Sequence, residues 1–429
     1  MKPVKVGICG LGTVGGGTFN VLKRNAEEIA RRAGRGIEVA QIAARRPNPK
    51  CETGATPITA DIFDVANNPE IDVVIELIGG YTLAHELVLK AIENGKHVVT
   101  ANKALLAVHG TEIFTAAQQK GVMVAFEAAV AGGIPIIKAL REGLTANRIE
   151  WAAGIINGTT NFILSEMRDK GLSFETVLKE AQRLGYAEAD PTFDVEGVDA
   201  AHKLTIMSAI AFGNSMSCDT AHIEGITKLD SADIKYAEQL GYRIKLLGIT
   251  KRTPEGVELR VHPTLIPEKR LIANVEGAMN AVLVKGDAVG ATLYYGKGAG
   301  AEPTASAVVA DLVDVTRMHT ADPQHRVPHL AFKPEAMVDL PILPLSEVIT
   351  SYYMRLRVED KPGVLADITR ILADHDISID AMIQHEPDEG EDQTDIIILT
   401  HRTREKNIDA AIARIELLSD RKSTRLNSS

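Results

Sequence analysis

The first fifteen residues constrain this chain most. An apolar run, Val4-Lys5-Val6-Gly7-Ile8-Cys9, leads directly into Gly10-Leu11-Gly12-Thr13-Val14-Gly15. In that pattern Gly10 permits a tight turn out of a strand, Gly12 lets backbone approach a pyrophosphate, and Gly15 lets the next helix pack close to the strand. The free N–H groups at the start of that helix then face the phosphates. The spacing alone is a weak signal, but here a strand precedes it and a helical pattern over residues 18–32 follows. It predicts a dinucleotide-binding β-α-β unit with Gly10, Gly12, Thr13, Val14 and Gly15 at the cofactor. The competing reading is a glycine turn with no ligand.

The second strand of the unit, Ile37–Ala43, narrows the nucleotide. A site selective for NAD places Asp or Glu at the end of this strand, on the ribose 2′-OH. This chain has Arg45 and Arg46 there. A guanidinium fork matches phosphate oxygens, so NADP(H) is expected ahead of NAD(H). The bland alternative is two solvated arginines on a polar loop.

Composition bounds the rest. With 429 residues the chain has room for two or three domains. Its formal charge of −10, from 47 basic and 57 acidic residues, argues against a nucleic-acid partner or an anionic membrane surface. Cys9, Cys51 and Cys218 are scattered without a paired spacing, which fits a reducing compartment. The longest apolar stretch, residues 121–137, is interrupted by Glu127 and Pro135 and makes a poor membrane span. A soluble cytoplasmic enzyme is expected.

Residues 1–135 alternate strand and helix, the pattern of a Rossmann-like, doubly wound parallel sheet in an α/β protein. Its ligand edge lies beyond the strand ends, at Gly79-Gly80-Tyr81 and Thr100-Ala101-Asn102-Lys103. Residues 136–302 read as an α+β substrate and dimerisation domain. The helix over 303–318 is expected to return to the nucleotide domain, and prolines mark 319–349 as a linker. Residues 350–420 follow the order βαββα, ferredoxin-like but lacking a last strand. The polar residues 421–429 look foreign to that unit and read as a poor strand.

Three polar stretches carry candidate chemistry: Asn102-Lys103, the loop Ile156-Asn157-Gly158-Thr159-Thr160-Asn161, and residues 185–203. Asp199 and Lys203, four apart, share one helix face. On spacing alone that pair is most often a solvated salt bridge worth under ~1 kcal/mol. A site for a small, amine-bearing substrate is the alternative reading.

Resemblance goes further. Ala181-x-x-x-Gly185-Tyr186-Ala187, then Asp190-Pro191-x-x-Asp194-Val195-x-Gly197-x-Asp199-x-x-x-Lys203, resembles the signature of the homoserine dehydrogenases. The stretches 101–107, 127–135 and 156–161, and Gly298-Ala299-Gly300-x-x-Pro303-Thr304-Ala305, are similar to that family as well. The likeness spans about residues 1–340, and the C-terminal unit resembles an ACT regulatory domain. It implies reversible reduction of L-aspartate 4-semialdehyde to L-homoserine with NAD(P)H, within threonine, methionine and isoleucine biosynthesis. It makes Lys203 the proton donor to the aldehyde oxygen and sets Lys103 between nicotinamide and substrate. Asp199 and Glu188 bind substrate, Glu188 through the amino group. Gly185 is expected against both substrate and cofactor, and Gly300 against the cofactor. Developing alkoxide charge beside an ammonium makes the chemistry sensible.

The resemblance also implies a monovalent cation, Na+, on the backbone carbonyls of Glu127, Val130, Gly132 and Ile134. A tight glycine turn without an ion is the equal alternative. L-threonine is the expected effector, at the loop Asp360-Lys361-Pro362-Gly363-Val364-Leu365, in a homodimer or homotetramer. Two other readings are weaker. An aldehyde dehydrogenase acting through a thiohemiacetal needs a cysteine with a histidine partner, which Cys218 lacks in sequence. A non-enzymatic sensor would bind nucleotide and amino acid without turnover.

Overall fold

The structure is a computed structural model that describes residues 2–216, 220–387 and 390–418, and the backbone of 422–428. Cys218 and residues 388–389 lie outside the described residues. Two compact units each gather separate stretches of chain. The first holds residues 1–158, 199–221 and 278–340, the second 159–198, 222–277 and 341–429.

In chain order the elements are β1 (Val4–Cys9), α1 (Thr13–Arg24), α2 (Ala26–Ala33), β2 (Ile37–Ala43), β3 (Ile58–Thr59), α3 (Ile62–Asn67), β4 (Val73–Glu76), α4 (Thr82–Glu93), β5 (His97–Thr100), α5 (Lys103–Lys120) and β6 (Val124–Ala125). Next come α6 (Ile136–Lys138), β7 (Ile149–Ile155), α7 (Gly158–Lys170), α8 (Phe174–Leu184), α9 (Thr192–Val195), α10 (Val198–Phe212), β8 (His222–Ile223), α11 (Ser231–Gln239), β9 (Tyr242–Arg252) and β10 (Val257–Pro267). The rest are β11 (Met279–Gly286), β12 (Gly290–Lys297), α12 (Ala301–Met318), β13 (Ile349–Glu359), α13 (Val364–Asp374), β14 (Ile379–Gln384), β15 (Gln393–Thr400), β16 (Thr403–Arg404), α14 (Glu405–Glu416) and β17 (Lys422–Ser428).

In the first unit six parallel strands run in the order β3-β2-β1-β4-β5-β6. Strands β1, β4 and β5 are buried along almost their whole length, as expected where both faces of a parallel sheet are covered. Helix α12 returns to this layer: Ala305, Val308 and Leu312 share a core with Val6, Ile8 and Phe19. Strands β12, β11 and β7 form an antiparallel set in the same unit.

The helical boundaries after β1 differ from the expected 18–32. Helix α1 starts at Thr13, because the glycine turn delivers the chain straight into helical geometry although Gly15, Gly16 and Gly17 carry no apolar signal. It ends at Arg24, and Asn25 caps both its end and the start of α2. The polar loop expected over residues 156–161 is likewise shorter. Helix α7 starts at Gly158, so Thr159, Thr160 and Asn161 lie in its first turn.

In the second unit β9 and β10 form a long antiparallel pair, and β8 joins β10 in parallel. The C-terminal βαββαβ unit packs α13 and α14 on one sheet, with Leu356, Ile368, Ile398 and Ile408 in its core. The reading of residues 421–429 as a poor strand is corrected here. Residues 422–428 form β17, antiparallel to β13 from Arg357↔Lys422 to Ser351↔Ser428. Its far side meets β10 in parallel at Thr264↔Asn427. The pairing uses main-chain groups, which every non-proline residue supplies, so a polar sequence can still close an open strand edge.

Candidate active site

The loops after β1, β2 and β4 border a cleft of about 1010 Å³ in the first unit. Gly10, Gly12, Thr13, Arg45, Arg46 and Gly79 all line it. Gly10 turns the chain at φ +100°. A methyl group on Gly15 would come within 1.9 Å of the Gly10 carbonyl oxygen, whereas one on Gly12 would meet nothing within 4 Å. So Gly15 serves helix packing, and Gly12 leaves open space where the backbone can meet a ligand. Val14 packs its side chain against the hydrophobic core. Residues in this cradle therefore fit a dinucleotide by shape, with the N-terminus of α1 supplying N–H donors. Asn48, not singled out from sequence, pins the arginine loop to the cradle: its amide donates to the carbonyls of Leu11 (3.0 Å) and Gly12 (3.1 Å).

Beyond β5 the chain builds a charged cluster. Asn102 caps α5 by accepting the Leu105 N–H at 3.1 Å, which sets Lys103 as the first residue of the helix. Helix α10 brings Asp199 and Lys203 to one face. The Lys203 ammonium lies 2.6 Å from one Asp199 oxygen and donates to the Ile156 carbonyl at 2.7 Å. The Lys103 ammonium lies 3.1 Å from the other Asp199 oxygen. Asn157 donates to Asp199 at 2.8 Å. Asp199 is only 3% exposed. Burial alone would push its carboxyl up. The Lys203 and Lys103 charges and the hydrogen bonds from Lys203 and Asn157 outweigh that and hold it well below the usual range. The expected helical pair is thus real, but it is buried and shared by a second lysine.

Gly185, at φ +78°, ends α8, and Glu188 is exposed in the loop that follows; both belong to the second unit. Within that unit Thr159 fastens this loop to α7 by donating to the Tyr186 carbonyl at 2.6 Å. Gly300, at φ +121°, opens α12 and borders a separate hollow of about 660 Å³ beside Arg24 and Lys297.

In the proposed cation stretch, the Glu127 carboxylate accepts the N–H groups of Ile137 (2.9 Å) and Lys138 (2.8 Å), so its side chain is committed to the start of α6. Its own N–H donates to Asp311 at 2.8 Å. Burial, with Glu127 nearby, pushes Asp311 up to about 8. Ala131 and Gly132 are both left-handed, at φ +53° and +48°. Apart from this stretch, His85, His109 and Glu112 bring three ligand atoms within 4.8 Å of one another across α4 and α5. Among the described residues no helix is long and apolar enough to cross a membrane.

A parallel sheet with a glycine cradle beyond its strand ends defines a protein of the dinucleotide-binding class. Family models agree: residues 10–127 match the homoserine dehydrogenase NAD-binding domain, residues 135–313 homoserine dehydrogenase, and residues 352–417 the ACT domain. The chain is 72% identical to a homoserine dehydrogenase of Pseudomonas aeruginosa, covering 97% of this chain and 96% of that one. It is 60% identical, with the same coverage, to one of Neisseria gonorrhoeae. A crystal structure of a homoserine dehydrogenase from Thiobacillus denitrificans superposes with a TM-score of 0.95 at 69% identity, over 100% of this chain and 99% of that one. The chain belongs to the homoserine dehydrogenase family, NAD(P)-dependent oxidoreductases acting on a CH–OH group.

Proposed function

We propose that Lys103, Asp199 and Lys203 form the reacting end of the site, and that Lys203 is the acid–base group. The observation that carries this is the sharing of Asp199 between two ammonium groups, at 3.1 and 2.6 Å. When bound, the nicotinamide supplies or accepts hydride. In reduction of L-aspartate 4-semialdehyde, the Lys203 ammonium stabilises the developing alkoxide and delivers its proton there; in oxidation of L-homoserine it takes the proton back. Asp199 fixes both lysines, and the exposed Glu188 carboxylate is the partner for the substrate ammonium, with Gly185 beside it. The test is Lys203→Ala in the full chain. It should lower kcat by roughly a hundredfold or more, the usual worth of a positioned acid, with cofactor affinity nearly unchanged. Turnover close to wild type would remove Lys203 from the role.

The same reading takes NADP(H) ahead of NAD(H), supported by Arg45 and Arg46 lining the cleft that begins at the glycine turn. It includes Na+ on the carbonyls of Glu127, Val130, Gly132 and Ile134, supported by the left-handed pair Ala131–Gly132, which turns the backbone sharply between those residues. It places Gly300 near the cofactor. L-threonine, as end product of the pathway, is the proposed inhibitor. A hollow of about 410 Å³ beside Asp360, Lys361 and Gly363 supports its site. A cytoplasmic homodimer or homotetramer completes the proposal, with the free thiols Cys9 and Cys51 supporting a reducing setting.

A further inference from the structure

Strand β4 reads Val-Val-Ile-Glu, and its last residue, Glu76, is 0% exposed. A carboxylate at the end of a buried apolar strand is costly unless donors surround it. An apolar residue would fill the same volume at less cost, so the bonds that Glu76 makes indicate what it is for.

One carboxylate oxygen accepts the N–H groups of Ile78 (3.0 Å) and Gly79 (3.3 Å). That anchors a loop in which Gly79 and Gly80 are both left-handed, at φ +75° and +69°. The other oxygen accepts the hydroxyl of Thr100, the last residue of β5, at 2.6 Å. Thr100 in turn accepts the Asn102 N–H at 2.9 Å. The Asn102 side chain closes the circuit, donating to the Gly80 carbonyl at 2.5 Å and, at 3.5 Å, to Glu76. Its own oxygen caps α5, whose first residue is Lys103. From the Glu76 carboxylate to the backbone of the residue before Lys103 is two hydrogen bonds. Burial pushes the Glu76 carboxyl up, against the hydrogen bonds it accepts. One buried carboxyl group therefore joins the loops beyond two adjacent strands, at the edge where parallel sheets bind ligands.

We propose that Glu76 is a positioning residue for the reaction: through Thr100 and Asn102 it sets Lys103 against Asp199, while anchoring the Gly79–Gly80 turn at the edge of the cleft. The inference rests on the assignment of Lys103 to the reacting end of the site. Misplacing a reacting group by about an ångström can cost roughly a hundredfold in rate, even from a substitution remote from the chemistry.

The test compares Glu76→Gln, Thr100→Val, Thr100→Ser and Lys103→Ala in the full chain, by kcat and KM for homoserine oxidation and by thermal midpoint. Glu76→Gln should lower kcat ten- to a hundredfold, with KM for the nucleotide within threefold of wild type. Thr100→Val should lower kcat about tenfold, and Thr100→Ser, which keeps the hydroxyl, should restore it. If Glu76→Gln does not fold, the Thr100 pair decides. Wild-type kcat in Glu76→Gln or Thr100→Val overturns the inference, as does loss of activity that only tracks the unfolded fraction. Lys103→Ala separates the two claims. If it keeps wild-type kcat, the reading of Lys103 fails and takes this inference with it. If it loses kcat while Glu76→Gln does not, only the inference fails.

Discussion

At the scale of single residues, burial decides what the charges here can do. An exposed lysine–carboxylate pair four apart on a helix is worth under ~1 kcal/mol. Asp199 sits out of water between two ammonium groups and an amide, which tethers the mostly buried Lys203 and the half-buried Lys103. Arg45 and Arg46 pose the opposite case. Both are exposed, and what ties their loop down is Asn48. If they read a 2′-phosphate, they lose charge-assisted hydrogen bonds on truncation, at about 1.5–3 kcal/mol. Replacing both by alanine should therefore raise KM for NADPH by at least tenfold while leaving KM for NADH nearly unchanged. Steady-state kinetics with each cofactor checks this. Equal effects on the two would mean that the arginines only face solvent.

At the scale of elements, strand β6 shows how a short piece is held. It has two residues, and histidines fasten it. His97 accepts the Met123 N–H at 2.9 Å, and His329 accepts the Val124 N–H at 3.1 Å. Both rings must be neutral to accept. Burial, chiefly, pushes His97 down to about 3 and His329 down to about 4. Unfolded histidine titrates near ~6.5. Between pH 6.5 and about 4 the unfolded chain therefore binds protons that the folded one refuses, so their contribution is complete above pH 6.5 and shrinks as pH falls. The variant His97→Gln/His329→Gln should be less stable than wild type at pH 7, and the gap should narrow at pH 5. Urea unfolding at the two pH values measures it, and a gap that does not move would show that the rings titrate normally. Neither histidine was legible in advance. Strands β1, β2, β4, β5 and helix α12 are legible in the sequence because apolar runs, turn glycines and helical periodicity are local signals. The start of α1 is not, since its signal is a row of glycines. Nor is β17, because the partner that makes it a strand, β13, lies some seventy residues earlier in the chain. Lys103, Asp199 and Lys203 were legible through motif resemblance. Glu76 left a trace, a carboxylate ending an apolar run just before Gly79-Gly80, but its meaning lies in donors on the next strand.

At the scale of the whole chain, the C-terminal unit is joined to the rest of the second unit more firmly than a linker of prolines suggests. Asp233, fully buried in α11, accepts the Tyr353 hydroxyl at 2.9 Å and the Arg355 guanidinium at 2.7 Å, both from β13. Strand β17 lies between β13 and β10. An effector that shifts β13 thus has a direct hold on α11. Threonine can alter catalysis only if it binds one arrangement of these elements better than another. Cutting the chain after Leu345 should abolish inhibition by millimolar threonine and leave turnover measurable. It should also lower the thermal midpoint by several degrees, because the Asp233 carboxylate loses two partners and β10 loses a neighbour. The local test is Gly363→Val in the full chain. Gly363 has φ +96° at the start of α13, beside the hollow, and a β-branched residue can neither hold that angle cheaply nor leave the space open. That variant should keep kcat and lose threonine binding by calorimetry together with inhibition. If it keeps threonine binding, the hollow is not the effector site. If the shortened chain remains sensitive, the effector acts outside the C-terminal unit altogether.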